Sequence, residues 1–235
     1  MINIEKKSAF LSDLFGRISK KYDYLNTVMT AGRHHYWRKT AVNSLIIDKN
    51  GIAVDLAAGT GDFSFELLKL DTVDQVVSLD ITPEMLDIAF MKAAQRNMEE
   101  KIELLIGDSH FLPFKEDSFI CATVGFGVRN FADVPLAISE IQRVLKPKGK
   151  VVILEIVKPA NFLMAKMFPI YFRRITPILG SILARDREAY TYLPDSVGNF
   201  MTSNQLVNIM GDAGFKNIKV KKFAFGAVAI LAGEK

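Results

Sequence analysis

Val54-Asp55-Leu56-Ala57-Ala58-Gly59-Thr60-Gly61-Asp62 is the stretch that decides the fold. Here an apolar run, IAVDLA at 52–57, passes through a turn of small residues into a helix-like segment, Gly61–Leu70. Outward from it the same alternation continues. QVVSLDI (75–81), KIELLIG (101–107), FICATVG (119–125) and KVVILEI (150–156) are short apolar runs. Between them lie Pro83–Met98 and Val134–Leu145, both with helical periodicity. Pro83 and Pro135 stand at helix starts, where a missing N–H costs nothing. Lys146-Pro147-Lys148-Gly149 ends a helix and turns into a strand. Five β runs separated by helices predict an α/β, doubly wound parallel sheet, and runs this apolar predict burial on both faces.

The first fifty residues read as helices. Phe10, Leu11, Leu14, Phe15 and Ile18 recur at helical spacing, as do Tyr22, Leu25, Val28 and Met29. Ser8 is the expected cap of the first helix, and Asp48–Gly51 is a turn. After Glu155 the alternation lapses until a helix at Ser203–Ala213, ended by Gly214. KNIKVKKFAFGAVAILAG then reads as two close strands, a hairpin that adds an antiparallel strand to the sheet.

The 235 residues suit one larger domain. With 49% hydrophobic and 24% charged residues, the composition excludes disordered, collagen-like and coiled-coil chains. The lone Cys121 excludes an intramolecular disulfide, and three histidines (His34, His35, His110) leave little for a metal site, so none is expected. His34 and His35 read as a solvated helix face. A formal charge of +4 permits an anionic ligand, nucleic acid or a lipid surface without selecting one. The N-terminus lacks the apolar core of a secretory signal, and no run is long enough to span a bilayer. The apolar region from Val157 is interrupted by Lys166, Arg173, Arg174 and prolines 159, 169 and 177. A reducing, cytoplasmic compartment is expected.

The glycine turn lets a backbone approach a ligand closely, and the helix start beyond it offers free N–H groups. A tight βα turn without a ligand is the plain alternative. The pattern is not a full GxGxxG, because Ser64 holds the third position. Asp62 stands at the helix start, where its charge repels a pyrophosphate but tolerates a cationic ligand. Asp80 closes the second strand, placed to accept two ribose hydroxyls; a surface turn aspartate is the alternative. Asp108, after the third strand, can accept from an exocyclic amine such as adenine N6, or cap the next turn. Together these sites call for a nucleoside with a positive, unphosphorylated tail, a description that S-adenosylmethionine meets.

Longer motifs narrow this. FGRISKKYDYLNTVMTAGRHHYWR (15–38), DLAAGTGD (55–62), LDITPEML (79–86), GDSHFLPFKEDSF (107–119), VGFGVRNFADV (124–134), RVLKPKGKVVILEIVKP (143–159) and YLPDSV (192–197) run through the chain. With them the chain resembles the class I S-adenosylmethionine-dependent methyltransferases, and within these the ubiquinone/menaquinone biosynthesis C-methyltransferases. KYDYLN and GFGVRN are far more specific than the glycine turn. Departures occur: Phe225 replaces a glycine common in the last strand of that family, Leu231 a histidine, and Gly125 a serine.

The resemblance implies a Rossmann-like, mostly parallel seven-stranded sheet with an antiparallel last strand, N-terminal helices (1–48), a cofactor-binding core (51–156), a helical lid (157–200) and a C-terminal helix and hairpin (203–235). It implies S-adenosylmethionine as cofactor, released as S-adenosylhomocysteine, and a polyprenyl quinol as substrate, demethylmenaquinol favoured. Ala57, Gly59, Thr60, Gly61, Asp80, Ile81, Asp108, Ser109 and Gly125 would bind the cofactor. Arg129 and Tyr22 would face the ring, Arg129 holding the developing phenolate; its alternative is a salt bridge to Asp133, and that of Tyr22 is helix packing. His110 has a useful intrinsic pKa for taking the proton, though a lone histidine is more often structural. Glu155 is a further outsider for that role. The 157–190 region, with six Lys/Arg against two Asp/Glu, would meet the prenyl tail and the inner membrane surface, or form an insertion or homodimer contact.

Other classes fit less well. A methyltransferase for another small molecule does not need KYDYLN or GFGVRN. Nucleic acid is not an expected partner: no Asp/Asn-Pro-Pro-aromatic motif occurs, Cys121 lies inside a strand, and the basic excess is small. Asp62 and the broken fingerprint oppose a dinucleotide oxidoreductase. A non-catalytic subunit of a quinone-synthesis assembly is the remaining alternative.

Overall fold

A computed structural model describes residues 3–159, 187–198 and 200–235. The interior of the expected 157–200 lid, with Lys166, Arg173 and Arg174, falls outside the described residues.

Seven strands form one sheet in the order β3-β2-β1-β4-β5-β7-β6: β1 (Gly51–Leu56), β2 (Val73–Asp80), β3 (Ile102–Ile106), β4 (Phe119–Gly125), β5 (Leu145–Ile156), β6 (Lys216–Phe223) and β7 (Val228–Glu234). β7 runs antiparallel to both β5 and β6, and the other pairings are parallel. The predicted hairpin and antiparallel last strand are therefore present.

Side chains alternate across a pleated strand, so an apolar run that faces two cores must serve both. Val54, Leu56, Ala122, Val124, Val151 and Ile153 enter one core, closed by α5 (Val134–Val144) and a late helix, Ser203–Asp212. Ala53, Cys121, Val152 and Leu154 enter the other, closed by α2 (Arg33–Val42) and α3 (Asp62–Leu67). This double cover is why the central runs lack polar alternation. The rule lapses at the edges: β3 is partly open, and β6 is largely exposed and carries four lysines.

α1 (Ile4–Thr30) is a single 27-residue helix. Its cap is Asn3, which accepts from the Lys6 N–H, and not the expected Ser8, whose hydroxyl is used elsewhere. Leu11, Leu14, Ile18 and Leu25 are its buried stripe. α4 (Pro83–Gln95) starts at Pro83 as predicted, and α1 packs on it at Gly16, where a Cβ would come 2.9 Å from the Glu84 carboxylate. The helix Arg187–Gly198 precedes the Ser203–Asp212 helix. Among the described residues no helix is long and apolar enough to cross a membrane.

Candidate active site

The strand order reverses beside β1, which has β2 on one side and β4 on the other. At such a switch point the loops leaving the strands part and open a crevice. Here the crevice lies at the carboxyl ends of β1 to β4, roofed by Ser8, Leu11, Phe15 and Tyr22 of α1.

Its floor is strained backbone. Ala57 (φ 50) and Phe126 (φ 58) are non-glycine residues in the left-handed region, one after β1 and the other after β4. Such conformations cost on the order of 1–3 kcal/mol and collect at ligand sites. Gly127 is required between them, because a Cβ there would lie 2.6 Å from the Cβ of Ala57. Gly125 backs onto Phe63: a Cβ would sit 2.4 Å from that ring.

Two carboxylates face this floor. Asp80, buried, accepts from the N–H of Gly59 and of Thr82, both at 2.8 Å. Burial raises its pKa, partly offset by these backbone N–H groups. A carboxylate has about four acceptor sites, so two backbone bonds fix its plane and leave lone pairs for a ligand. Asp108 accepts from the His110 N–H at 3.0 Å, from His110 Nδ1, and from the Ser8 hydroxyl at 2.6 Å. Burial pushes its pKa up, but hydrogen bonds from His110 and Ser8 outweigh that and hold it at about 2. The Ser12 hydroxyl, a turn along α1, donates to the Ile81 carbonyl at 2.9 Å. α1 is thus fastened to the ends of β2 and β3 by two serines.

Ala57, Gly59, Asp80, Ile81, Asp108, Ser109 and Gly125 border the crevice, as do Tyr22 and His110. Thr60 and Gly61 do not. The Thr60 hydroxyl donates to Asp23 at 2.6 Å and accepts from Lys92 at 2.8 Å. Lys92 also bridges Asp23 and Asp62, and Arg38 pairs with Asp62 at 3.0 Å. These ion pairs correct the sequence argument about Asp62, whose charge is neutralised behind the turn and does not face a ligand. The electrostatic conclusion nevertheless stands on other residues: Asp80 and Asp108 border the crevice, and among the described residues no Lys or Arg does. A pyrophosphate there would meet two carboxylates and no bordering cation, whereas a cationic tail is favoured.

His110 is not the open base that its pKa suggested. Nδ1 engages Asp108, while Nε2 lies 3.1 Å from the N–H of Ala132 and of Asp133 and accepts from both. These contacts assign the Nδ1–H tautomer and occupy the only lone pair. His34 is likewise buried and not solvated; it contacts Arg38 and Thr27, and burial followed by Arg38 pushes its pKa down to about 4. His34, His35 and Asp62 come together at metal-ligand spacing, but Arg38 already sits on His34 and Asp62. The neighbouring guanidinium opposes a cation there.

Arg129 lies behind the Phe126, Gly127 and Asn130 part of the crevice wall and does not itself line it. Its Nη1 donates to Glu155 at 2.7 Å and to the Phe126 carbonyl at 2.6 Å, and its backbone N–H reaches Glu155 at 3.1 Å. The alternative pairing with Asp133 does not form; Asp133 caps α5 instead. Nε of Arg129 is buried, with no acceptor among the described residues. Tyr22 and Tyr192 both lie within electrostatic reach of the guanidinium, and burial raises both phenol pKa values. The Tyr192 hydroxyl donates to Asn130 at 2.9 Å, and its ring meets Phe10 and Phe15 edge-on at 5.8 and 6.5 Å. Tyr192 stands 62 positions from Asn130, and nothing in the local sequence pattern hints at their meeting.

The geometry can be set beside known proteins. A model of the ubiE/COQ5 methyltransferase family matches residues 3–235. Demethylmenaquinone methyltransferases of Lactiplantibacillus plantarum and Staphylococcus aureus are 35% and 36% identical over 223 residues, spanning 94% of this chain and 94% and 91% of theirs. A SAM-dependent methyltransferase structure from Thermotoga maritima aligns with a TM-score of 0.68 at 19% identity, over 95% of this chain and 99% of that one. The [4+2]-cyclase SpnF aligns with a TM-score of 0.65 at 17% identity, over 86% and 80%. A cyclase on the same sheet shows that the fold alone does not choose the reaction. The family match over nearly the whole length does choose: the chain belongs to the ubiE/COQ5 methyltransferase family.

Proposed function

We infer that the protein transfers a methyl group from S-adenosylmethionine to a ring carbon of a prenylated hydroquinone, demethylmenaquinol being the substrate that the names of its relatives favour. The observation that carries this reading is a crevice bordered by Asp80, Asp108 and Tyr22, with a buried Arg129–Glu155 pair behind its Phe126 wall.

The residues present fit the cofactor. Asp80 would accept the ribose hydroxyls with the lone pairs that Gly59 and Thr82 leave it. Asp108 would accept from the adenine amine, and the tight backbone at Ala57 and Gly59 admits the amino acid tail. Bound there, S-adenosylmethionine supplies an electrophilic methyl group on positively charged sulfur.

The chain's own residues must make the ring nucleophilic and aim it. A phenol donates little electron density to its ortho carbon, whereas a phenolate donates much. Arg129 stays protonated, so its part is to hold the phenolate, for which the unpaired Nε is an available donor. A buried orphan donor costs about 1–3 kcal/mol, a cost that a phenolate oxygen would relieve. Glu155 fixes the guanidinium, while Tyr22, Tyr192 and Phe15 supply an aromatic wall to align the ring. His110 serves as a strut between Asp108 and the start of α5. Incubating the protein with methyl-labelled S-adenosylmethionine and demethylated naphthoquinols and benzoquinols, followed by mass spectrometry, tests the reading. A labelled methyl group bonded to a ring carbon is expected, and absence of labelled quinone from every substrate overturns it.

A further inference from the structure

The turn between β6 and β7 spends conformational energy on something the folded chain does not use. Ala224 (φ 48), Phe225 (φ 54) and Gly226 (φ 91) are three successive residues in the left-handed region. Only Gly226 takes that conformation freely, and an aromatic residue there is strained. Burial of the ring would offset the strain, yet Phe225 is 85% exposed, the most open of the large apolar side chains among the described residues.

The surroundings are apolar and basic. Tyr36 of α2 is 60% exposed and meets Phe223 edge-on at 6.1 Å, while Lys221 Nζ lies 5.4 Å from the centroid of the Phe223 ring. Lys219 and Lys222 are also exposed. From Lys216 to Ala227, and along α2, there is no Asp or Glu. No carboxylate among the described residues pairs with Lys219, Lys221 or Lys222. β6 is the outer strand of the sheet, and a row of lysines on such an edge repels a second copy of itself. The turn follows the end of β6 and precedes Val228, which pairs with Ile156 at the carboxyl end of β5. It therefore lies at the same end of the sheet as the crevice.

We propose that Phe225, Tyr36 and the lysines of β6 form a membrane-docking rim that seats this end of the sheet on an anionic phospholipid surface. Phe225 enters the headgroup boundary and the lysines meet the lipid charges. The proposal rests on the prenylated-quinol reading, since such a substrate resides in lipid. It gives the crevice a route to that substrate through the described residues alone.

Phe225→Gly separates anchoring from folding, because glycine relieves the strain while removing the ring. Full-length protein is sedimented with vesicles of phosphatidylcholine, with or without phosphatidylglycerol. Wild type should bind the anionic vesicles, with binding weakened by salt. Phe225→Gly and Lys221→Glu/Lys222→Glu should each bind at least about tenfold more weakly. Both should keep wild-type S-adenosylhomocysteine affinity, and Phe225→Gly should melt at or above the wild-type temperature. Equal vesicle binding by wild type and both variants overturns the proposal, as does wild-type self-association through β6 without vesicle binding. Turnover of a short-chain, water-soluble quinol separates the two readings: it should persist in both variants, and its absence from wild type would implicate the proposed reaction and not the rim.

Discussion

Arg129 Nη1 and Glu155 Oε1 stand 2.7 Å apart, with 4% and 0% of their side chains exposed. Burial opposes the charge on Arg129, but Glu155 prevails and raises its pKa. The pair joins the turn after β4 to the end of β5, and the Glu155 carboxylate also accepts from the Ile156 N–H at 2.7 Å. Breaking one half of such a pair is far worse than replacing both, because a lone charge remains buried.

Glu155→Gln should therefore cost about 3–5 kcal/mol in urea unfolding. Arg129→Lys keeps the charge but loses the planar fork. It should fold, retain S-adenosylhomocysteine affinity, and lower kcat by about a hundredfold or more, the scale of a lost transition-state donor. A parallel loss of cofactor affinity would count against the phenolate role.

Asp80→Asn should weaken S-adenosylhomocysteine binding by about 1.5–3 kcal/mol in calorimetry, the scale of hydrogen bonds to a charged group. Asp80→Ala should in addition lower the melting temperature, since it strips the Gly59 and Thr82 N–H groups of their acceptor. Wild-type affinity in Asp80→Asn would remove the ribose assignment.

His110→Gln should keep kcat within about tenfold of wild type, because a strut's loss is not the loss of an acid–base group, typically 10²–10⁴-fold. His110→Ala should cost about 1–3 kcal/mol of stability, since the N–H groups of Ala132 and Asp133 lose their acceptor. Intact stability in His110→Gln with a thousandfold slower rate would restore the base.

Two aspartates give stability opposite pH slopes. Asp55, buried against Ser64 and Thr123, has its pKa raised by burial to about 6. Its contribution is greatest below the ordinary carboxylate value and is lost as pH rises through about 6. Asp108, held at about 2, contributes above the ordinary value, and that stability is lost as pH falls through about 2. Between pH 4 and 7 the buried His34, held at about 4, makes stability rise while Asp55 makes it fall. Melting curves of Asp55→Asn should therefore climb more steeply with pH than those of wild type; the same pH dependence in both would remove the Asp55 assignment.

Cys121 lies inside β4, and burial pushes its thiol up to about 12. The native protein should be inert to a thiol reagent at pH 8 and react fully once unfolded. Rapid native labelling would contradict the closed core.

The order of elements was readable from the chain because each central strand must be apolar on both faces, a demand that marks the sequence directly. The same holds for Pro83 and Pro135 at helix starts, and for Asp80 and Asp108 after their strands. Each rests on residues adjacent in sequence or on a local period. What failed was partnership. Ser8 was expected as a cap but reaches Asp108, a hundred positions away. Asp62 looked turned toward a ligand but is held by Arg38 and Lys92. Arg129 was offered Asp133 at helical spacing but takes Glu155. His34 and His110 looked available, yet both are buried and engaged. By itself the sequence determined the strands, the helices between them and the carboxylates at the strand ends, since backbone geometry and strand burial impose local rules. Only the tertiary structure decided which charges neutralise one another and which stay turned toward the crevice. Hydrogen bonds and ion pairs select partners by distance in space, and distance along the chain does not encode it.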